Sequence, residues 1–297
     1  MNSVLVIGSS NTDMVIRIPT LPRPGETISG GEFQTFSGGK GANQAIAARR
    51  AGAKVTFIAA VGDDDLGRSA VDVYASEGVD ISGIQVLTET ASGVAFIFVS
   101  KDGENCIGVA PGANACLSAD ALLGQKHAFH RADILLLQLE TPLDTVRTAI
   151  EIASRDATPV VLNPAPVARL PDDLLDGLFC ITPNETEAEA LSGIPVVDAD
   201  SASSAADWLL DRGVRNVVVT LGARGALLKN NDTTIFQPAK PVTVVDSTGA
   251  GDTFNGYFAA MLANGKSLAA ALEIAVGAAT TSVQSAGAIA SIPRLGE

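Results

Sequence analysis

The sequence predicts a doubly wound α/β fold: a mainly parallel sheet with helices on both faces, accompanied by a small separate β-sheet. Three observations predict it. From about residue 118, short apolar runs alternate with helical segments, which is the rhythm of βαβ units. The strand runs there are almost continuously apolar, as strands covered on both faces are. Four earlier strand-like runs do not fit that rhythm and are assigned to the second sheet. The 297 residues, 46% of them hydrophobic, suffice for one large α/β domain. Residues 1–297 are expected to form a single domain, with the small sheet built from inserted segments at about 14–36 and 94–110.

The elements follow in order. Val4 to Ile7 is a short apolar strand ending in Gly8-Ser9-Ser10. Met14 to Ile18 and Thr27 to Phe36 alternate, with prolines at 19, 22 and 24 between them, and read as half-exposed strands. Gly38-Gly39 opens a helix from about Ala42 to Ala51, which Gly52 closes. Val55 to Val61 is a buried strand, and Asp63-Asp64-Asp65 precedes a helix through Glu77. Val94 to Val99 and Asn105 to Val109 form a hairpin turned by Asp102-Gly103. Ile134 to Leu139, Val160 to Leu162, Leu178 to Ile181 and Val217 to Thr220 are strands, separated by helices near 143–156, 171–176, 184–192 and 201–213. A β-type run from Pro241 to Val245 leads into two alanine-rich helices at about 250–264 and 267–283.

Composition excludes several functions. A formal net charge of -13, with no basic cluster longer than Arg49-Arg50, argues against a nucleic-acid partner. Cys106, Cys116 and Cys180 are widely spaced without a CxxC and read as reduced core or near-core thiols. His127 and His130 lack further ligands nearby for a zinc site. The N-terminal run is a strand rather than a signal peptide, and no apolar run reaches membrane-spanning length. A cytoplasmic protein without a membrane partner is expected.

Chemistry concentrates at the C-terminal ends of the strands, where ligands bind in such sheets. The most informative segment runs from Asp246 to Gly256, DSTGAGDTFNG. Its small residues let backbone N–H groups approach a ligand, and a helix N-terminus favours negative charge. Bound phosphate would repel the Asp252 carboxylate, which is better used as a base on a hydroxyl attacking that phosphate. Gly38-Gly39-Lys40-Gly41-Ala42-Asn43-Gln44-Ala45 brings backbone close to something small, with Lys40 and Asn43 as donors; it fits neither a Walker A loop nor a dinucleotide loop. Asn11-Thr12-Asp13 suits adjacent sugar hydroxyls or a simple turn. Glu140 ends a strand and points into the crevice or into solvent. Asn184 and Glu187 form a capping box or order water and Mg²⁺ around phosphates. Thr220-Leu221-Gly222-Ala223-Arg224-Gly225 is another small-residue loop at the same sheet edge.

These stretches together resemble the ribokinase family of sugar kinases, also called the phosphofructokinase-B family. The two hallmark runs are GGKGANQA at 38–45 and DSTGAGDTFNG at 246–256. Similarity extends through Pro24-Gly25-Glu26-Thr27, Val61 to Asp64, Gly108 to Asn114, Asn163 to Pro166 and Ile181 to Glu187, covering nearly the whole chain. Asn11-Thr12-Asp13 and Gln138-Leu139-Glu140 look most like the ribose-phosphorylating members.

The resemblance implies that the small sheet is a lid and a homodimer interface. It implies transfer of phosphoryl from ATP to the 5-hydroxyl of D-ribose, with Asp252 as base and the backbone of Gly249, Ala250 and Gly251 as anion hole. Sugar contacts would come from Asn11, Thr12, Asp13, Gly39, Lys40, Gly41, Ala42, Asn43, Glu140 and Asp252. Nucleotide contacts would come from Asn184, Glu187, the 220–225 loop (Thr220, Leu221, Gly222, Ala223, Arg224, Gly225), Gly251, Asp252 and Val276, with Glu187 acting on Mg²⁺ through water. A K⁺ would sit among Asp246, Thr248, Ser282, Ser285, Gly287 and Ser291. Some relatives carry histidine in place of Val276, and many continue through another helix after Ser291. Other acceptors within the family (fructose, a ketodeoxy sugar acid, a nucleoside) and a catalytically silent sugar-binding protein are the alternatives.

Overall fold

The computed structural model describes residues 2–296. In chain order the elements begin with β1 (Ser3–Ile7), β2 (Asn11–Ile18), β3 (Glu32–Gly38), α1 (Lys40–Arg50), β4 (Lys54–Gly62), α2 (Asp65–Ser76) and β5 (Asp80–Leu87). Next come β6 (Gly93–Ser100), β7 (Asn105–Ala110), α3 (Ala119–Leu123), α4 (Lys126–Arg131), β8 (Ile134–Leu137), α5 (Leu143–Arg155) and β9 (Val160–Leu162). Then α6 (Asp172–Leu175), β10 (Cys180–Ile181), α7 (Glu185–Ser192), α8 (Ala199–Leu210), β11 (Val217–Thr220), β12 (Gly225–Lys229) and β13 (Thr234–Pro238) follow. The last helices are α9 (Ala250–Ala263), α10 (Leu268–Ser282) and α11 (Ala288–Ser291).

Nine strands form the main sheet in the order β13-β12-β11-β10-β9-β8-β1-β4-β5. It is parallel from β5 to β11, and β12 and β13 add an antiparallel edge. From β1 the chain winds one way to β4 and β5, then returns to β8 on the other side. That reversal opens a crevice at the C-terminal ends of β1 and β8. Alternation along β1 feeds two cores. Val4 and Val6 face α1, α9 and α10, whereas Leu5 and Ile7 face the side covered by α5 and α8.

The helix that carries the site is held very close to its neighbour. Gly256 of α9 lies against Ala47 and the backbone of Gln44 and Ala48 in α1; a Cβ there would be 2.4 Å from the Ala47 Cβ. The alanines of α1 and this glycine explain each other: small side chains permit the approach.

The four remaining strands form the expected second sheet, in the order β3-β2-β6-β7. Pairing sorts its faces. Asp13 and Val15 share one face with Ala95, and Val15 and Ala95 are buried. Met14, Ile16, Phe33, Phe96 and Phe98 share the other, where Phe33 is 62% and Phe96 48% exposed.

Several sequence expectations need correction. Pro241–Val245 is irregular rather than a strand: Pro241 has no N–H to give a ladder, and the Val245 and Asp246 N–H groups donate to the Val283 carbonyl at the end of α10. The third strand starts at Glu32, not Thr27, because the proline- and glycine-containing stretch before it stays extended without pairing. The strands β5, β12 and β13 lie outside the expected set. Asn11 and Asp13 lie within a strand of the second sheet, not in a loop after β1. Cys180 is buried, but Cys106 and Cys116 are exposed rather than near-core.

Candidate active site

The first glycine-rich run meets the chain where β1 passes into β2. A Cβ on Gly41 would stand 2.5 Å from the Ser9 nitrogen, one on Gly39 2.8 Å from the Asn11 nitrogen, and one on Gly38 2.3 Å from the Asp13 Oδ2. Gly39 also has φ +91°. Gly39 and Gly41 are therefore required by the protein's own backbone and Gly38 by the Asp13 carboxylate, whereas the sequence suggested a small ligand as the reason. Their consequence is that α1 begins beside Asn11 and Asp13. Asn114 fixes Asn11: its Oδ1 accepts from the Ser10 N–H, and its Nδ2 donates to the Ser10 carbonyl and to Asn11 Oδ1.

Lys40 is the first residue of α1 and carboxylates surround it. The Glu140 Oε2 accepts from the Lys40 backbone N–H at 3.0 Å and from the Ser9 hydroxyl at 2.5 Å. Burial opposes the Lys40 charge, but Asp252, Glu140, Glu187 and Asp13 outweigh it and raise its pKa. Burial, with repulsion from Glu140 and Asp252, raises the Asp13 carboxyl to about 6. Asn11, Asp13, Lys40 and Glu140 thus form one polar pocket at the crevice.

Asp252 forms the wall of that pocket. It lies in the first turn of α9, 7% exposed. Its Oδ2 accepts from Asn43 Nδ2 and its Oδ1 from Gln44 Nε2, both at 2.9 Å. Burial raises its pKa; Lys40 and the two amides pull it down without cancelling that rise. A carboxylate with a raised pKa is a stronger base, and here it sits beside the side-chain donors of Asn43 and Gln44. The helix start is shaped for an anion. Gly249 is left-handed at φ +76°, and the N–H groups of Gly249 and Gly251 have no acceptor among the described residues. The Ala250 N–H, expected to join them, instead donates to the Ser247 carbonyl at 3.2 Å. A Cβ on Gly251 would meet nothing within 4 Å, so the packing of the protein itself does not require glycine there.

The nucleotide-side candidates spread outward from there. Asn184 and Glu187 do make the reciprocal capping box of α7: Asn184 Oδ1 accepts the Glu187 N–H, and Glu187 Oε2 accepts the Asn184 N–H. That uses one oxygen of Glu187, whose pKa burial raises; the other suits a water on Mg²⁺. Gly222 and Gly225 both have positive φ, and a Cβ on Gly225 would overlap the Gln237 carbonyl. Thr220 ends β11; Leu221 is buried, and Ala223 sits in a short 3₁₀ turn (Gly222–Arg224). Arg224 is tied to Glu185 at 2.8 Å and to the Val197 carbonyl, which directs it to the rim. Beyond this loop, Val276 lines an open cavity of about 600 Å³ with Gln237, Lys240 and Val242.

The cation candidates fit a weakly charged oxygen site. Asp246 Oδ1 accepts from the Thr248 N–H and hydroxyl, and Oδ2 from the Gly287 N–H. Burial opposes the Asp246 charge, but these hydrogen bonds prevail and hold its pKa below the ordinary carboxylate value. Ser282 and Ser291 are buried and donate to backbone carbonyls, which leaves hydroxyl lone pairs unspent. Ser285 lies between them and Gly287, its N–H on the Ser282 carbonyl. One carboxylate among neutral oxygens suits a monovalent ion better than a divalent one. No cluster of three or more His, Cys, Asp or Glu that could hold a metal occurs among the described residues.

Sequence reasoning missed the buried amides behind the base. The amides Gln44, Gln138, Asn163 and Asn255, with the Thr182 hydroxyl and carbonyl, are all 6% exposed or less and hydrogen-bonded into one group. A signal was present: Gln44, with Asn43 before it, is a polar residue in a helix otherwise rich in alanine.

Comparison with known proteins identifies the family and the fold. The description "pfkB family carbohydrate kinase" matches residues 1–295. A ribokinase of Haemophilus influenzae is 44% identical over 98% of this chain and 95% of its own length. A deoxyribokinase of Salmonella typhi is 37% identical over 98% and 96%. The solved structure of Arabidopsis thaliana ribokinase complexed with ribose and ATP superposes with a TM-score of 0.91 at 34% identity, covering 98% of this chain and 95% of that one. With a whole-length match, the same fold and both glycine-rich runs converging on one buried aspartate, this chain belongs to the pfkB family of carbohydrate kinases.

Proposed function

We propose that this protein transfers the γ-phosphoryl group of ATP to the 5-hydroxyl of D-ribose, giving ADP and ribose 5-phosphate. The observation that carries the proposal is Asp252, buried at an anion-favouring helix start and facing the pocket of Asn11, Asp13, Lys40 and Glu140. Asp13 and Glu140 accept hydrogen bonds from sugar hydroxyls, while Asn11, Lys40 and Asn43 donate. Asp252 takes the proton of the attacking hydroxyl as the Gly249 and Gly251 N–H groups receive charge on the moving phosphoryl group. Val276 and the 220–225 loop hold the nucleotide. When bound, Mg²⁺ near Glu187 neutralises phosphate charge and K⁺ beside Asp246 stiffens the 246–249 loop. The second sheet closes over the sugar and excludes water. Its exposed apolar face, with Phe33 and Phe96, is covered by a second copy of the chain. The site is cytoplasmic, as expected for a consumer of ATP.

The ribokinase relatives support ribose as acceptor, and the deoxyribokinase relative favours 2-deoxyribose as a second one. The test is ADP release over a panel of D-ribose, 2-deoxyribose, D-fructose, a ketodeoxy sugar acid and a nucleoside, with and without K⁺. Ribose should give the highest kcat/KM. Asp252→Ala should lower kcat by about 10²–10⁴-fold, the usual worth of a general base, with ATP affinity retained. No turnover on any sugar, or near-normal kcat in the variant, overturns the proposal.

A further inference from the structure

We infer that Gln44 is a positioning residue that decides which oxygen of Asp252 receives the acceptor's proton. This rests on Asp252 being the base of the proposed reaction. The direction is set by backbone. The Thr182 carbonyl can only accept, and it accepts from Asn163 Nδ2 at 3.1 Å. That turns Asn163 Oδ1 towards Gln44, which must answer with its NH₂ group at 3.0 Å. The same NH₂ lies 2.9 Å from Asp252 Oδ1. On its other side, Gln44 Oε1 accepts from Gln138 Nε2 at 2.6 Å. Turning the Gln44 amide over would place oxygen against oxygen at Asn163, which the Thr182 carbonyl holds in place; Gln138, whose Oε1 has no partner, follows Gln44 rather than fixing it. Asp252 Oδ1 therefore always faces a donor, and a proton there would meet an N–H.

Asn43, the neighbouring amide, differs. Its Nδ2 donates to Asp252 Oδ2, but its own Oδ1 is buried without a partner. It can turn and lose nothing elsewhere, presenting that oxygen to a newly protonated Oδ2. One amide is locked and the next is free, so the proton arrives at Oδ2. The anchor moves with the base: the Thr182 hydroxyl donates to Asn255 Oδ1, and Asn255 Nδ2 donates to the Gly251 carbonyl just before Asp252. The charged groups around Asp252 are Lys40 on α1, Glu140 after β8, Glu187 on α7 and Asp13 on β2.

The test is the pH profile of kcat/KM for ribose, which reports the base in the free enzyme. Gln44→Met removes the donor. Its acid limb should move up by about one to two pH units, the pKa equivalent of a hydrogen bond to a charged group, and kcat should fall while KM for ATP holds. Asn163→Ala frees the Gln44 amide to turn and should shift the limb the same way; it serves if Gln44→Met does not fold, as judged by melting. A ¹³C-carboxyl NMR titration of Asp252 reads the same shift without turnover. Wild-type acid limbs and a wild-type Asp252 titration in a folded variant overturn the inference even if ribose is phosphorylated normally. Failure of the wild-type protein on every sugar overturns the proposed function instead, and the titration then still tests Gln44.

Discussion

Replacing Gly256 by alanine tests how the site is assembled. The added Cβ would stand 2.4 Å from the Ala47 Cβ, 2.6 Å from the Gln44 carbonyl oxygen and 2.7 Å from the Ala48 nitrogen. Two of these neighbours are backbone, so no rotamer relieves the contact and α9 must part from α1 by about 1 Å to restore van der Waals separation. Overpacking of this kind costs about 1–3 kcal/mol, partly offset by about 0.5–1 kcal/mol from removing a mid-helix glycine. At mid-range the net cost is about 1.2 kcal/mol, and at about 2–4 °C per kcal/mol for a chain of this size class Tm should fall by roughly 2–5 °C. Function should suffer more. The same separation stretches the 2.9 Å bonds from Asn43 and Gln44 to Asp252, and misplacement by about 1 Å is worth about 10²-fold in rate. Gly277→Ala on α10 is the stability control: its Cβ meets nothing within 4 Å, so Tm should hold or rise. Calorimetry and ADP release read both quantities. A Gly256→Ala protein with unchanged Tm and kcat would refute the idea that this close helix contact holds the base in place.

Two further outcomes follow from the pocket and the second sheet. Asp13, raised to about 6, is the group whose protonation should weaken sugar binding: KM for the sugar should climb as pH falls through about 6, and Asp13→Asn should flatten that dependence. The stability effect has the opposite sense, since a raised folded-state pKa means this carboxyl's contribution declines as pH rises from 3.8 to about 6 and is constant above; denaturant midpoints of wild type and Asp13→Asn across that range check it. On the apolar sheet face, Phe96→Glu should convert a dimer to monomer in sedimentation velocity, and an unchanged sedimentation coefficient would remove that face as the interface.

The main sheet was legible in the sequence because its strands are buried on both faces and read as apolar runs. The second sheet was legible through alternation and the Asp102-Gly103 turn. The edge strand β5 was not, because Asp80–Leu87 mixes polar and apolar residues without a clean period. Pro241–Val245 misled for the opposite reason. Its valines have strand propensity, but Val244 and Val245 lie exposed with nothing to pair against. Within the candidate site, the residues proposed to meet ligand were visible as motifs: Asp252, Lys40, Asn43 and Glu140. Those that orient them were not. Gln44, Asn163 and Asn114 act through hydrogen bonds to residues more than 100 positions away, such as Asp252 and Ser10, and no local pattern records such a partner.

The charge in the pocket also bears on how rate could be gained. Asp13, Glu140, Glu187 and Asp252 gather around the half-buried ammonium of Lys40. Sugar hydroxyls are served by such acceptors, but an incoming triphosphate is repelled by them. The N–H groups at the start of α9 carry only about half a positive charge. On the proposed reaction, the repulsion between Asp252 and the phosphoryl group is greatest before the proton moves. As Asp252 takes the proton it becomes neutral, just as the phosphoryl group approaches. The relief therefore belongs to the transition state more than to the bound substrates, which is the condition for raising kcat rather than affinity. It also gives the locked Gln44 amide a purpose: a proton confined to Oδ2 leaves Oδ1 anchored throughout, so the base changes charge without losing its place.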